Sequence, residues 1–310
     1  MKHILRFLSL FFLLASVPVA FARQVADALF MTATEEEDIA IEGALDGVFS
    51  ISGTRHVRFS KGNLQYTTAG SHRCGDNSMR AGTWRFAENQ YDMIGEANAN
   101  ASATYSDYID LFGWGTSGWN GGAVAYNPYS TSTSSSDYYV AGQSLRNLTD
   151  SCAYADWGVY NAISNGGDTP ALWRTLTNDE WRYIFLSRSG STVCGTANAR
   201  YCMAQVADVN GVIVFPDSYT HPSAAPTLQY INQNGNGAGY AKNVIDASEW
   251  MAMETAGAVF LPATGSRRGT ELESMGTHGY YWSSSYKDKS YVHHLYWYPS
   301  VVSTTNVQNR

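Results

Sequence analysis

The residues best suited to chemistry lie near the C-terminus, in an aromatic and polar stretch at 276–298. Residues 279–285 begin aromatic and end in serines, 287–290 have the composition of a polar turn, and 292–298 are aromatic again, which predicts a β-hairpin. Because side chains alternate between the faces of a strand, one face can pack on a core while the other offers tyrosines, serines and histidines to solvent. This composition is typical of a recognition surface, since tyrosine buries a large area at small entropic cost and serine supplies adaptable hydrogen bonds. The alternative is an ordinary hairpin whose aromatic rings pack across the strands.

We therefore predict that ligand contact is made by the solvent-facing members of one set in this hairpin: Tyr286, Lys287, Asp288, Tyr291, His293, Tyr296 and Tyr298. The strand period places residues 293, 295 and 297 on one face and residues 294, 296 and 298 on the other, and which face is exposed is left open. Four tryptophans are assigned to the core: Trp114, Trp173, Trp181 and Trp282.

Motifs associated with catalysis or cofactors are present only in part. Residues 113–118 (GWGTSG) match a dinucleotide fingerprint, but such a site needs a helix at the third glycine, and residues 119–122 (WNGG) do not start one. Residues 284–287 (SSYK) match SxxK without its partner motifs, at a strand-to-turn position. Adjacent His293 and His294 point to opposite faces and cannot share a metal. We predict no catalytic residue, no metal ligand and no cofactor, and favour a recognition protein over an enzyme.

A calcium site formed by acidic side chains is the one metal alternative that the sequence raises. Asp92, Asp107 and Asp110 could gather around the ion, but the nearby loop lacks the dense oxygen ligands of a convincing calcium site.

Residues 1–22 have the pattern of a secretory signal, with a positively charged start, an apolar centre at 7–14 and a small-x-small cleavage site at 20–22. The apolar run is shorter than the ~20 residues that a spanning helix needs, and no later run qualifies. We therefore predict an exported protein without a transmembrane segment, in the periplasm, at the cell surface or outside the cell. Residues 23–44 contain an acidic run and predict a linker, so the folded domain is expected at 45–310.

The net charge argues against one class of partner, and the cysteine count predicts disulfides. A chain with 20 basic and 27 acidic residues and no basic run is a poor binder of nucleic acid, so no nucleic-acid partner is expected. Four cysteines in an exported chain predict structural disulfides, with a local Cys194–Cys202 bridge and with Cys74 and Cys152 either paired or reduced.

Two helices and several short strands are expected to position the hairpin. Thr177–Glu180 forms a capping box that opens a helix at 181–187, with Trp181, Ile184 and Phe185 as its buried stripe. Asp246–Glu249 offers similar capping for a helix at 250–255, which Gly257 ends. Strands are predicted at 48–52, 56–60, 63–67, 84–87, 211–215 and 258–261. With long ordered loops between them, these elements predict an α+β domain.

A series of ordered motifs resembles a known group of proteins. The motifs are VRFSKGNLQY at 57–66, WRFAENQ at 84–90, LFGWGTSG at 111–118, DWGVYN at 156–161, WRTLT at 173–177, GAVFLPAxG at 257–265 and GYYWSS at 279–284. They resemble exported paralogous proteins of gut Bacteroidetes-type bacteria, are similar to the major paralogous domain named for Fibrobacter, and more distantly resemble formylglycine-generating-enzyme-like folds. The resemblance implies a C-type-lectin-like fold whose C-terminal region presents a ligand-binding face to an unknown protein or glycan.

The resemblance also suggests a hypothesis, and the sequence departs from the family's pattern in two ways. Some relatives are variable proteins of diversity-generating retroelements, and residues 286–309 are rich in types reachable from mutated asparagine codons. The oxidase relatives use a late cysteine pair, whereas this chain has no cysteine after Cys202, so that activity is not implied. The family's closing strand, G-[FY]-S-V-R, is also not found, so the sequence is either truncated or lacks that strand, and a missing strand would leave an open sheet edge beside residues 280–285. A structural component of a surface assembly and a degenerate enzyme of the formylglycine-generating type are the alternative functions.

Overall fold

A computed structural model describes residues 41–235 and 237–309 of the chain, with no description of the side chains of residues 308 and 309. The expected signal and most of the expected acidic linker lie outside the described residues. The strands are β1 (Phe49–Ser50), β2 (His56–Val57), β3 (Leu64–Arg73), β4 (Met79–Phe86), β5 (Tyr201–Val206), β6 (Val209–Val214), β7 (Val244–Ile245), β8 (Val259–Pro262), β9 (Ser266–Arg268), β10 (Glu271–Glu273), β11 (Gly279–Tyr286), β12 (Tyr291–Tyr298), β13 (Val301–Ser303) and β14 (Val307–Asn309).

The helical elements are short. The α-helices are α1 (Trp157–Tyr160), α2 (Asn178–Arg182) and α3 (Ala247–Thr255), and α2 continues as a π-helical turn over Tyr183–Ser187. The 3₁₀ turns are Gly95–Asn100, Ser135–Tyr138, Val140–Gly142, Asp150–Ala155 and Tyr240–Lys242. In the described part of the chain, no helix combines the length and the apolar character needed to cross a membrane.

Two four-stranded sheets and three two-stranded pairs make up the β-structure of the described residues. The central sheet has the order β7-β5-β6-β8, and all its pairs are antiparallel except β5 with β7. In the C-terminal sheet, β11 pairs with one edge of β12, and β13 and β14 pair with the other edge. The predicted mixed α+β class is therefore confirmed.

Both predicted capping boxes are present. The Thr177 hydroxyl accepts a hydrogen bond from the Glu180 amide at 3.2 Å, and the Glu180 carboxylate accepts one from the Thr177 amide at 2.8 Å. Asp246 and Glu249 form the equivalent box at α3, which begins three residues earlier than predicted because the cap itself fixes the first turn. The stripe of Trp181, Ile184 and Phe185 is buried as predicted. The caps therefore fix the residues at which both helices begin.

Three hydrophobic clusters fill the space between the sheets, the helices and the loops. The first joins α2 and its π turn to the central and C-terminal sheets, through Phe185, Val212 and Trp297. The second lies beneath α3, around Trp250 and Phe260. The third joins β3 and β4 to the loops of residues 101–163 and has several tryptophans at its centre. Of the tryptophans assigned to the core, Trp114 and Trp181 are buried, and Trp173 and Trp282 pack half-buried against the third cluster.

The cysteines differ from the prediction. All four are free cysteines in the structure, so the expected Cys194–Cys202 bridge is not formed. Cys202 points from β5 into the cluster beneath α3, whereas Cys194 lies in a tight turn with φ +46°. There its sulfur accepts a hydrogen bond from the Leu228 amide at 3.3 Å.

The β3–β4 pair is longer than predicted. Strand β3 runs to Arg73 instead of residue 67, because an irregularity in register between Thr67 and Ser71 lets the pairing resume beyond it. Gly70 has φ +79° at this irregularity, a conformation that a residue with a side chain adopts only at a cost.

Candidate functional site

The predicted C-terminal hairpin is present, with β11 and β12 joined by the polar turn at 287–290. The Asp288 carboxylate closes the turn by accepting hydrogen bonds from the Ser290 amide at 2.9 Å and the Tyr291 amide at 3.1 Å. The Tyr291 carbonyl accepts from the Lys287 amide at 2.9 Å. Aspartate in such a turn bonds to the backbone ahead of it, which is why the sequence signal was reliable here.

A bulge at the serines sets the register of the whole hairpin. Trp282 lies opposite His294, but Tyr286 lies opposite Val292, so three serines of β11 face the single residue His293. The Ser283 hydroxyl donates to the His293 carbonyl at 2.9 Å. Ser283 and Ser284 are almost fully buried.

Ser284 and Ser285 form hydrogen bonds that connect the hairpin to neighbouring segments of the chain. The Ser284 amide donates to the Leu176 carbonyl at 2.9 Å, and the Ser284 carbonyl accepts from the Leu148 amide at 2.8 Å. The Ser285 hydroxyl accepts from the Asn178 amide, at the start of α2, at 3.1 Å. The expectation that these serines face solvent is therefore wrong, because the bulge turns them towards backbone groups that need partners.

One face of β12 belongs to the core. Leu295 and Trp297 are fully buried in the first cluster, and the Trp297 ring stacks on the Tyr281 ring at 5.2 Å between centroids. Gly279 makes room for this indole, since a Cβ there would lie 2.0 Å from it. His293 shares this face beyond the edge of the core, where burial lowers its imidazole pKa and the positive charge of Lys287 lowers it further.

The opposite face carries a contiguous set of half-buried rings, which we name the aromatic platform: His278, Tyr280, Tyr296 and Tyr298. Tyr280 and Tyr296 are cross-strand partners with ring centroids 5.0 Å apart. The rings of Tyr296 and Tyr298 are 5.6 Å apart, and the His278 ring stacks beside Tyr298 at 5.7 Å. Partly exposed rings at these separations form one continuous surface.

His294 and Trp282 form the inner border of the aromatic platform. The His294 ring is 5.7 Å from Tyr280 and meets Trp282 edge-on at 6.1 Å, with only 3% of the histidine exposed. The Trp282 indole nitrogen donates to the Phe112 carbonyl at 2.8 Å, which fixes the ring. The platform therefore rests on side chains that cannot easily turn.

Three side chains in or beside the aromatic platform have pKa values shifted in favour of the neutral form. Burial and, to a smaller extent, the neighbouring His293 together lower the pKa of His294 to about 4, while a hydrogen bond to the Val292 carbonyl opposes the shift. Burial also lowers the pKa of His278. The pKa of Tyr296 is raised to about 12 by burial and by Tyr280. The surface thus offers ring faces and phenol hydroxyls, which suit stacking and hydrogen bonding and not proton transfer.

The structure separates the predicted contact residues into three places. Tyr296 and Tyr298 belong to the aromatic platform, and His293 lies on the core face. The remaining residues form the hairpin tip, defined as Tyr286, Lys287, Asp288 and Tyr291. Tyr291 is 40% exposed, and its backbone lies about 17 Å along the strand from Tyr296. A single ligand of small size cannot contact both groups.

The sequence interpretation missed His278 and Tyr280 as members of the surface. A signal existed, because His278, Tyr280 and Trp282 follow the strand period and share one face. Their partners on β12 depend on the serine bulge, which shifts the register by two residues and brings Tyr280 opposite Tyr296 instead of Tyr298.

Asp92 and Asp110, two of the three acidic residues considered for calcium, accept hydrogen bonds from different partners. Asp110 accepts hydrogen bonds from the Ile94 amide at 3.0 Å and the Asn98 side chain at 2.8 Å, while Asp92 accepts from Asn89. Within residues 41–235 and 237–309, no group of three metal-ligating side chains occurs. After Gly118 the chain enters a turn, without the helix that a dinucleotide site needs.

No protein-family model matches the chain, and neither a curated protein nor a solved structure does. The function is therefore inferred from the geometry of the surface itself.

Proposed function

We propose that this protein is an exported, non-enzymatic recognition domain of C-type-lectin-like architecture that binds a protein or glycan ligand on the aromatic platform. The observation that supports this most strongly is the asymmetry of the C-terminal sheet. On its inner face Leu295 and Trp297 are fully buried in a core, whereas the four rings of the platform remain half-buried on the opposite face. Contiguous exposed apolar area of this kind is characteristic of interaction sites.

The support beneath the aromatic platform favours binding. Tyr296 and Tyr298 alternate along β12 with Leu295 and Trp297, so the core holds the strand that presents them. A preorganised surface loses little conformational entropy when a ligand binds. Tyrosine adds large contact area with few rotatable bonds. These properties are those of a binding surface on a rigid scaffold.

The resemblance to variable proteins fits only part of this surface. Residues 286–309 contain Tyr296 and Tyr298, whereas His278 and Tyr280 lie upstream of that segment. If diversification occurs, half of the aromatic platform varies and half remains constant. The hypothesis requires a reverse transcriptase and a matching template repeat beside the gene, and a neighbourhood without them would exclude it.

The two alternative functions receive less support. Assembly by strand addition needs a free sheet edge. The outer edge of β11 is occupied at Trp282, whose carbonyl accepts from the Trp181 indole at 3.3 Å, and at Ser284. A degenerate enzyme would be favoured by carboxylates or thiols clustered at the proposed site, and the four residues of the aromatic platform include neither.

The test is binding of the purified protein to a mixed array of glycans and host proteins. We expect a Tyr296→Ala/Tyr298→Ala variant to lose binding, and a matched Tyr286→Ala/Tyr291→Ala variant to retain it. Both variants must unfold cooperatively, as the parent does. Binding that is lost only in the second variant would move the site to the hairpin tip. Export is tested separately, by the N-terminal sequence of the protein recovered outside the cytoplasm.

A further inference from the structure

We propose that a cleft beside β3 and β4, separate from the aromatic platform, binds a zwitterionic ligand with an apolar side chain, such as an α-amino acid. The cleft has a volume of about 470 Å³. This lies in the range of small-molecule sites. Its lining residues are Gln65, Arg85, Glu88, Tyr91, Asp92, Met93, Ile94 and Val209.

The positive charge of the cleft is held in a fixed orientation. The Arg85 guanidinium lies 3.6 Å from the centre of the Tyr108 ring, and its Nε donates to the Gln65 amide oxygen at 2.9 Å. Gln65 is buried and lies opposite Arg85 in the β3–β4 register. Among the described residues, none forms an ion pair with Arg85. The guanidinium is therefore oriented by a ring and an amide, and its charge is not neutralised.

The two carboxylates of the cleft have partners other than Arg85. Glu88 pairs with Lys61 at 3.3 Å. Asp92 accepts hydrogen bonds from the Asn89 amide at 2.9 Å and from the Asn89 side chain at 3.1 Å. In the described part of the chain Asp92 has no ion-pair partner. Opposite charges thus line one cleft without contacting each other.

A ligand that carries both charges complements this arrangement. The planar guanidinium fork matches a carboxylate in a bidentate geometry, and charge-assisted hydrogen bonds of this type are stronger than neutral ones. The Asp92 carboxylate can accept from an ammonium group. The apolar side chain would lie against Met93, Ile94 and Val209. An α-amino acid is the smallest molecule with these three features.

Isothermal titration calorimetry of the full chain with L-phenylalanine and L-leucine tests the proposal. We expect saturable binding of both, and binding at least about tenfold weaker for N-acetyl-L-phenylalanine, which lacks the ammonium charge, and for L-phenylalaninamide, which lacks the carboxylate. Arg85→Gln should weaken binding of L-phenylalanine by about tenfold or more, and Arg85→Lys by less, because lysine keeps the charge but not the fork. Asp92→Asn should weaken binding of L-phenylalanine more than binding of its N-acetyl derivative.

Arg73→Gln is the matched control, since it removes an exposed arginine from β3 outside the cleft and should leave binding unchanged. Thermal unfolding of each variant checks that the fold is retained. The proposal is wrong if neither amino acid binds saturably to the parent protein. It is equally wrong if a folded Arg85→Gln variant binds as the parent does, or if the amide and N-acetyl derivatives bind as tightly as the free amino acid.

Discussion

Neighbouring aromatic residues on β12 have opposite surroundings. Trp297 is fully buried against Tyr281 and the central core, whereas Tyr296, one position earlier, is half-buried on the aromatic platform. The strand period alone explains why they point in opposite directions. This difference shows that the aromatic content of a strand does not by itself indicate either a role in stability or a role in recognition. Whether an aromatic residue serves stability or recognition depends on whether a second layer, here α2 and the central sheet, covers its face of the strand.

The largest expected effect comes from truncation on the covered face. Trp297→Ala should lower the free energy of unfolding by about 3–5 kcal/mol, because it removes a fully buried indole and leaves a cavity. Tyr296→Ala should cost about 1 kcal/mol, the usual size for a partly exposed residue. Urea unfolding followed by fluorescence measures both, and equal losses would remove the distinction between the two faces.

The second effect is a dependence on pH at the border of the aromatic platform. The pKa of His294 is about 4 in the folded protein, against an ordinary value of 6.5. The unfolded chain therefore binds more protons between these values, and the free energy of unfolding should fall by on the order of 3 kcal/mol as the pH falls from 6.5 to 4. His294→Phe should remove this contribution.

The effect of pH must be measured as a difference between the parent and the His294→Phe variant, because Asp156 changes the free energy of unfolding in the opposite direction. Burial raises the pKa of its carboxyl to about 6, so its contribution to stability increases as the pH falls from 6 towards 3.8. Since both proteins contain Asp156, this contribution cancels in the difference. Urea unfolding at pH 7, 5.5 and 4 provides the measurement, and a difference that does not change with pH would contradict the buried, neutral state of His294.

A smaller effect is expected from filling the space beside Trp297. Gly279→Ala places a Cβ 2.0 Å from the indole, and overpacking of this kind costs about 1–3 kcal/mol. Gly53→Ala is the control, since no atom beyond the adjacent residues lies within 4 Å of the added Cβ. Thermal unfolding compares the two variants. A similar melting temperature for both would show that the covered face is loosely packed.

The smallest effect is expected at the hairpin tip. Lys287→Ala and Tyr291→Ala remove exposed side chains and should change the free energy of unfolding by no more than about 0.5 kcal/mol. Neither should alter ligand binding by the aromatic platform. A loss of binding in a folded Tyr291→Ala variant would return the site to the tip.

Local sequence signals predicted the elements that depend on local interactions. The capping boxes at Thr177 and Asp246 and the polar turn at 287–290 were predicted because each satisfies backbone groups within a few residues. The buried stripe of α2 followed from the helical period. These features depend little on the rest of the fold.

The members of the candidate site were predicted only in part, because the site depends on tertiary contacts. Tyr296 and Tyr298 were identified from composition, but the serine bulge that aligns Tyr280 with Tyr296 is stabilised by Leu148 and Leu176, far away in sequence. No local sequence pattern predicts such a bulge. The choice of the exposed face likewise depends on where α2 packs, which the period of a single strand cannot determine.

Hydroxyl-radical footprinting with a ligand found on the array tests the claim that the aromatic platform contacts the ligand. Saturating ligand should protect Tyr280, Tyr296 and Tyr298 from oxidation and leave the rate at Tyr291 unchanged. Protection of Tyr291 alone, or of the loop at 114–119, with the three platform tyrosines oxidised at their free rate, would contradict the claim.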